Sequence, residues 1–236
     1  MRITQVSIVI ALASFARCGT LYESDFSTTS LSPFSACNFK ASSYAQSTGS
    51  LAEFFFDESG FDGTRNDKGT ELCVFEPGTS TNVKQMKKEG WQGFDLYLPS
   101  PEFPTDKSTI IAQQFCPGGC SSWCGTLGVV NNDLVVEHMD TCGNPTVQTI
   151  LSNIPRNNWH RVVVHMKVSQ AGNGEYEVWW EGECIYAVKN INIGFGTWDN
   201  STDTLTSGWY FKNGIYAFGE RQFFSSNVLL RMLYLQ

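Results

Sequence analysis

Short runs of alternating apolar and polar residues recur along this chain, and they constrain its fold more than any other feature. Gly, Asn or Pro turns separate them, and period-two alternation is typical of a strand that buries one face. The predicted strands are Leu51–Asp57, Gly69–Phe75, Gly90–Leu98, Thr109–Phe115, Thr126–Asn131, Asp133–Met139, Trp159–Val168, Tyr176–Glu181, Glu183–Lys189, Gly208–Ala217 and Val228–Leu235. So many strands without alternating helices predict an all-β sandwich or jelly roll.

Turn and helix patterns are few by comparison. Asn131-Asn132 and Glu181-Gly182 predict two-residue hairpin turns, since both pairs suit backbone with positive φ. Only Ser80–Glu89 and Thr146–Asn153 have a helical pattern, and both are short. We find no internal repeat and no linker-like segment, which favours one domain.

The first residues resemble a secretory signal peptide. Arg2 supplies the positive start, and the apolar run Val6–Phe15 is too short to span a bilayer. Cleavage after Ala13, Cys18 or Gly19 fits the small residues there, and we place it after Cys18. The alternative is a buried N-terminal strand. With a signal at 1–18, residues 19–236 form one secreted domain, which we expect to be monomeric and free of membrane contact.

The charge balance excludes one class of partner. The chain has 16 basic and 23 acidic residues, a net charge of −7, which becomes −9 when Arg2 and Arg17 leave with the signal. Such a surface does not suit a nucleic-acid binder, which needs cations for phosphate contacts.

Cysteine usage agrees with an oxidising compartment. The disulfide candidates that remain after cleavage are Cys37, Cys73, Cys116, Cys120, Cys124, Cys142 and Cys184, an odd set that leaves a thiol unpaired unless Cys18 is retained. The segment CPGGCSSWC has no histidine nearby, so disulfides are favoured there over a zinc site. Asn200 begins an N-glycosylation acceptor, which predicts an exposed loop.

Four segments resemble the jelly-roll polysaccharide lyases. Asn158–Tyr186 (NWHRVVVHMKVSQAGNGEYEVWWEGECIY) looks like their W-H-x-x-V-x-H-x-K hairpin with a Gly/Asn turn and V-W-x-x-G. Gly208–Phe218 (GWYFKNGIYAF) resembles the Y-F-K-x-G-x-Y strand of alginate-lyase-type enzymes. Ile110–Phe115 (IIAQQF) and Lys68–Cys73 (KGTELC) stand where such enzymes have a Gln-bearing strand and an R-[ST]-E-L strand. Within these enzymes the chain resembles the fungal glucuronan lyases, polysaccharide lyase family 20.

This resemblance implies a concanavalin A-like sandwich of two antiparallel sheets and a lyase for an acidic polysaccharide. Two positions depart from the alginate-lyase pattern. Phe115 stands in place of the histidine of Gln-x-His, and Gly69 in place of the arginine of R-[ST]-E-L, with Lys68 and Arg65 the nearest cations.

β-Elimination on a uronate needs a neutralised carboxylate, a base for the C5 proton and an acid for the departing O4. Alternation places Tyr210, Lys212, Gly214 and Tyr216 on one strand face. A tyrosine is a poor base at its ordinary pKa near 10, and a neighbouring Lys212 favours its phenolate. Gly214 is expected to leave room for a sugar ring.

The remaining candidates are assigned to substrate binding. Gln113 is expected to donate amide hydrogens to the uronate carboxylate and joins the catalytic set. The predicted substrate-binding residues are Glu71, Arg65, Lys68, His138 and Trp198. His160 is interpreted as structural. His138 and His165 both lie in strands and could face the groove, although a hydrogen-bonded sheet histidine is favoured for each, and His138 is our substitute for the missing histidine. No cofactor is required, but Asp25, Asp57, Glu58 and Asp62 offer oxygen ligands for a structural calcium.

Two alternatives stay open at this point. A glycoside hydrolase on the same fold would use paired carboxylates such as Glu71 and Glu137 on a neutral glucan. A lectin-like carbohydrate-binding protein would explain the missing histidine and the tryptophans near loops.

Overall fold

Two large antiparallel β-sheets packed face to face form most of the described part of the chain, and a short two-stranded sheet accompanies them. The computed structural model describes residues 22–38, 44–57, 69–74, 85–100, 103, 108–217 and, as backbone, 225–235. The strands are β1 Tyr22–Ser24, β2 Phe34–Asn38, β3 Tyr44–Ser47, β4 Ala52–Asp57, β5 Gly69–Val74, β6 Glu89–Tyr97, β7 Ser108–Cys116, β8 Ser122–Val130, β9 Asp133–His138, β10 Thr146–Leu151, β11 Trp159–Lys167, β12 Ser169–Trp180, β13 Glu183–Ile193, β14 Trp198–Asp199, β15 Thr204–Leu205, β16 Tyr210–Tyr216 and β17 Ser225–Leu235.

The strand order shows how the two sheets are built. The front sheet runs β10-β9-β8-β7-β16-β5-β2, and the back sheet runs β13-β12-β11-β6-β17-β4-β3 with β1 beside β17. Strands distant in sequence are neighbours, as β16 lies between β7 and β5. The all-β jelly-roll prediction is confirmed. No helix in the described ranges is long and apolar enough to cross a membrane.

Alternation along each strand explains the core between the sheets. In β4, Ala52, Phe54 and Phe56 are buried, while the residues between them are only partly covered. In β11 of the same sheet, Val162 and Val164 also point inward. Each buried Phe or Val removes apolar surface from water, worth about 1.5–3 kcal/mol per side chain. The alternate positions point outward, to the two outer faces of the sandwich.

The structure corrects two local predictions. Thr146–Asn153 is not helical, because Thr146–Leu151 forms strand β10 and pairs with β9. A short apolar pattern does not separate helix from strand, and here sheet pairing decides. The described end of the other helical candidate, Gln85–Glu89, contains no helix, and β6 begins at Glu89. Residues 80–84 lie outside the described ranges.

Both predicted hairpin turns are confirmed. Asn131 and Asn132 join β8 to β9 with φ of 50° and 70°. Glu181 and Gly182 join β12 to β13 with φ of 52° and 85°. Positive φ at both central residues is the geometry that matches the twist of hairpin strands. The predicted Gly/Asn turn lies instead inside β12, where the pairing with β13 shifts register between Ser169 and Gly174.

Three disulfides are formed among the described cysteines: Cys37–Cys73, Cys116–Cys124 and Cys120–Cys142. The zinc alternative for CPGGCSSWC is therefore wrong, since all three of its thiols are used in disulfides. Cys184 is exposed and forms no disulfide with another described cysteine. The signal peptide and Cys18 lie outside the described residues.

Candidate active site

The outward face of the front sheet, called the groove face here, carries the predicted catalytic side chains in register. Three rows of directly paired residues cross the strands. The Tyr210 row contains Tyr210, Phe115 and Trp123. The central row contains Cys73, Lys212, Gln113, Thr126, Glu137 and Val147. The Tyr216 row contains Gly69, Tyr216, Ile110, Gly128, Val135 and Thr149.

Glu71, Lys212 and Gln113 meet in a buried polar cluster on this face. The amide Nε2 of Gln113 donates to Glu71 Oε1 at 2.5 Å, and the Lys212 ammonium lies 3.6 Å from Glu71 Oε2. The exposed fractions of Glu71, Gln113 and Lys212 are 1%, 2% and 6%. A buried carboxylate and a buried ammonium are tolerated because each neutralises the other. The contacts hold an amide and a cation side by side.

The aromatic residues beside this cluster surround the Lys212 ammonium. It lies 4.2 Å from the centroid of the Phe115 ring and 5.9 Å from that of Tyr210. The Phe115 and Tyr210 ring centroids are 5.2 Å apart. Phe115, at the position of the alginate-lyase histidine, therefore faces the groove but offers no proton-transferring atom. Ring faces attract a cation, so these contacts also hold Lys212 in place.

Gly69 stands where the R-[ST]-E-L pattern has an arginine, and the neighbouring strand leaves no space for a side chain there. It is paired with Tyr216, and a Cβ built at Gly69 would lie 2.8 Å from the carbonyl oxygen of Ile215 and 3.1 Å from Cδ2 of Tyr216. Within the described strand pair β5–β16 the cation is Lys212, which pairs with Cys73, four residues from Gly69 along β5. The predicted substrate-binding residues Arg65 and Lys68 lie outside the described residues.

A glycine is required at position 214 for a reason that differs from the one expected. A Cβ at Gly214 would lie 2.2 Å from the carbonyl oxygen of Thr70 and 2.9 Å from the Phe54 ring. It would thus collide with the neighbouring strand and the core, and its φ of 140° also favours glycine. The expectation that Gly214 makes room for a sugar ring is corrected: its small size serves strand pairing.

Comparison with known proteins decides the family. The profile of the family described as polysaccharide lyase matches residues 71–228, more than half of the chain. The chain belongs to the polysaccharide lyase family. No curated protein matches it by sequence. The matched range begins at Glu71 and includes Gln113, Lys212 and both groove tyrosines.

Solved structures show the same fold at low identity. An endo-β-1,4-glucuronan lyase from the fungus Trichoderma reesei is 18% identical, with 93% of this chain and 91% of that chain covered and a TM-score of 0.58. A family 7 alginate lyase, A1-II′, in complex with substrate is 13% identical, with 84% and 82% covered and a TM-score of 0.59. An alginate lyase from Pseudomonas aeruginosa is 18% identical, with 84% and 87% covered and a TM-score of 0.55.

The glycoside hydrolase alternative fails on geometry as well as on family. Glu71 is on β5 and Glu137 is on β9, with β16, β7 and β8 between them. Four strand spacings of about 4.8 Å place them about 19 Å apart along the sheet. Glycosidase carboxyl pairs lie about 5–9.5 Å apart. Membership of a lyase family likewise removes the reason for the lectin alternative.

His138 of this lyase is on the inner side of the front sheet. Its Nε2 is 2.9 Å from the Tyr186 hydroxyl, and its ring packs against Tyr176, a residue of the core. The expectation that His138 faces the groove and replaces the missing histidine is therefore corrected. The register of β9 places Glu137, not His138, in the central row.

Burial of His138 makes the folding stability of the lyase depend on pH in a testable way. Desolvation lowers the pKa of His138, while the charge of Asp140 partly opposes this. A lowered pKa means that the folded state prefers neutral His138. The free energy of unfolding is therefore highest above pH of about 6.5, the ordinary pKa of histidine, and it decreases as the pH falls below that value. We expect His138→Gln to flatten the decline in unfolding free energy between about pH 7.5 and 5.5.

Urea unfolding of both proteins at several pH values measures this difference. Tyr186→Phe is the matched control, since it removes the hydrogen bond but keeps the imidazole, and it should retain the wild-type slope. Wild-type and His138→Gln curves that run parallel would contradict the assignment.

Trp198 of the lyase is away from the three rows. It belongs to the two-stranded β14–β15 ribbon, is half-buried against the core, and its ring is near Gly194. Its sugar-binding role stays a prediction that the groove geometry does not favour. Asn200, next in this ribbon, lies in an exposed turn, as the acceptor motif requires. Its glycosylation also stays a prediction.

A polar network below the groove was missed by the sequence reasoning. The Tyr176 hydroxyl donates to Gln114 Oε1 at 2.7 Å, and Gln114 Nε2 donates to Gln92 Oε1 at 3.1 Å. Gln92 Nε2 in turn donates to Asn213 Oδ1 and to the Lys212 carbonyl, 3.3 Å away. Burial raises the pKa of Tyr176 well above its ordinary value, so it is a hydrogen-bond donor. The network ties both sheets together beneath Gln113 and Lys212.

Metal-ligand geometry in the described residues is limited to the back sheet. His165, Glu175 and Glu177 offer ligand atoms within 4.8 Å of one another. Both carboxylates already pair with Lys189, and His165 bridges Glu177 and Glu89. This is an ion-pair network remote from the groove face, and His165 is structural there. The predicted calcium ligands Glu58 and Asp62 lie outside the described residues, so a structural calcium stays a prediction.

Proposed function

We propose that this polysaccharide lyase is secreted and cleaves a β-1,4-linked polyuronate of the glucuronan type by β-elimination. One observation carries the proposal: Gln113 and Lys212 are held side by side by Glu71, with Tyr210 and Tyr216 in the rows on either side. The three disulfides suit an extracellular protein.

Carboxylate neutralisation is assigned to Gln113 and Lys212. A Gln amide has two N–H donors and a Lys ammonium has three. Glu71 accepts one hydrogen bond from Gln113, and it pairs with the Lys212 ammonium across 3.6 Å, a distance longer than a hydrogen bond. The other donors can bind a uronate carboxylate lying over the central row. Hydrogen bonds and a positive charge stabilise the enolate-like charge that develops when the C5 proton leaves. Gly69 carries no cation, so among the described residues this task is assigned to these two side chains.

Proton transfer is assigned to the tyrosines. Phe115 carries no proton-transferring group, and His138 lies on the inner side of the sheet. Tyr210 and Tyr216 are thereby the groove-face candidates in the described chain for abstraction of the C5 proton and protonation of O4. The Lys212 ammonium lies 5.9 Å from the centroid of the Tyr210 ring, where its positive charge can stabilise negative charge that develops on that tyrosine during proton transfer.

The test uses the ultraviolet absorbance of unsaturated uronates. Folded protein is incubated with glucuronan, with alginate and, as a neutral control, with a β-1,4-glucan. We expect absorbance to rise with glucuronan and not with the glucan. No rise with any polyuronate would overturn the proposed activity, whereas a rise with alginate alone would overturn only the choice of uronic acid.

A further inference from the structure

The groove face continues from the polar cluster into a cavity of about 370 Å³ over β8, β9 and β10. It is lined by Ile110, Gly128, Val135, Glu137, Val147 and Thr149, among others. All six belong to the central row or the Tyr216 row, and one of them, Ile110, is paired directly with Tyr216, so the cavity lies beside the catalytic candidates on the same face. Its volume falls within the range of about 300–1,000 Å³ common for ligand sites.

The charge of this cavity is opposite to that of the cluster. Glu137 is the charged member of the described lining, and the other side chains there are apolar or hydroxyl-bearing. Burial raises the pKa of Glu137, against the opposing effect of a hydrogen bond from Trp123. Three strand spacings of about 4.8 Å separate β16, which carries Lys212, from β9, or about 14 Å. Lys212 is therefore too distant to neutralise a second carboxylate bound here.

We propose, resting on the polyuronate lyase function above, that this cavity is a subsite for a sugar unit without negative charge, and that Glu137 rejects an ionised uronate there. The apolar C–H face of a sugar ring packs on Ile110, Val135 and Val147, and a sugar hydroxyl donates to the Glu137 carboxylate. A uronate in the same position would bring two carboxylates together without a cation between them. A neutral sugar and a carboxyl-esterified uronate share the required chemistry.

The consequence is a preference for partly neutral polymers. The lyase cuts at a uronate over the central cluster and favours chains that have an uncharged unit at a fixed distance from the cut. Glu137 is thus a specificity-determining residue. The groove face then selects a charged sugar unit at the Gln113–Lys212 cluster and an uncharged one at the cavity.

The experiment uses three forms of glucuronan: native, with a fraction of its carboxyls reduced to neutral sugar, and with the same fraction methyl-esterified. Each is digested by the wild type, by Glu137→Gln and by Glu183→Gln. Glu183 is exposed on β13 of the back sheet, so this control makes the same charge change away from the groove. Mass spectrometry gives the position of uncharged units relative to the unsaturated end.

For the wild type, we expect uncharged units to be enriched at one fixed position from the cut. Glu137→Gln should lose this enrichment and raise kcat/KM on native glucuronan roughly tenfold, since one like-charge contact is removed. Glu183→Gln should behave as the wild type. Enrichment in one modified polymer alone identifies whether neutral sugar or ester is bound.

Two results would count against the proposal in different ways. Unsaturated products with uncharged units at random positions, or a Glu137→Gln variant with unchanged preference, overturn the subsite and leave the lyase function standing. Absence of unsaturated products from all three polymers overturns the proposed function and the subsite with it.

Discussion

A variant that carries both Tyr210→Phe and Tyr216→Phe is expected to lose about 10³-fold in kcat for polyuronate cleavage, the usual scale of one lost acid–base step. Both tyrosines lie on the groove face beside Lys212 and Gln113. Phe115 cannot transfer a proton, and His138 is on the inner side, so no other described side chain next to the cluster replaces them.

The single variants assign the roles. The variant that lacks the base should lose nearly as much activity as the double variant, with little change in KM, because the hydroxyl acts mainly in the transition state. Initial rates of absorbance increase provide the measurement, and circular dichroism with thermal unfolding checks the fold. Activity within about tenfold of the wild type in the folded double variant would exclude tyrosine as the proton-transferring group.

The second large effect concerns stability. Glu71→Ala is expected to lower the free energy of unfolding by about 3–5 kcal/mol, because it leaves the ammonium of Lys212 buried without its counter-charge. Lys212 is 6% exposed and lies 3.6 Å from the Glu71 carboxylate. Gln113 loses the acceptor of its amide N–H in the same change. Urea unfolding at neutral pH measures the difference.

A matched double variant separates stability from catalysis. Glu71→Leu combined with Lys212→Met replaces the ion pair by apolar groups of similar size, which is often neutral for stability. We expect it to recover most of the unfolding free energy lost in Glu71→Ala but to remain inactive, since the cation is gone. A double variant as unstable as the single one would show that the ion pair is not the cause. Wild-type activity in the double variant would remove Lys212 from the mechanism.

Much of the fold follows from local patterns. Alternation in β4 and β16 identifies the inward residues, such as Phe54 and Phe211, and the pairs Asn131-Asn132 and Glu181-Gly182 define hairpin turns. These are properties of a few consecutive residues, and the sequence contains them directly. The same reasoning misassigned Thr146–Leu151, since a short run takes its conformation from its partner strand.

Local sequence patterns predict only part of the candidate site. Family resemblance brought Gln113, Lys212 and the two tyrosines together, and spacing alone would not have done so. No local pattern indicated the network through Gln92 and Tyr176, because its members come from both sheets. A Gln114 that follows directly after Gln113 was the available clue: successive strand residues face opposite sides, so one of the two amides had to lie in the core.

The sequence by itself therefore determined that the chain forms strands, which residues alternate along each strand, and where two of the hairpins turn. Only the tertiary structure decided which strands become neighbours, which face of each strand meets the groove, and which cysteines pair. It turned His138 toward Tyr186 and Gly214 toward Thr70, and it aligned Glu137 with Gln113. The physical reason is that a period of two residues shows which side chains share a face of a strand, but it does not show which of the two faces points into the core. Pairing between distant strands, with its register shifts, decides which face points inward and where the candidate catalytic side chains lie.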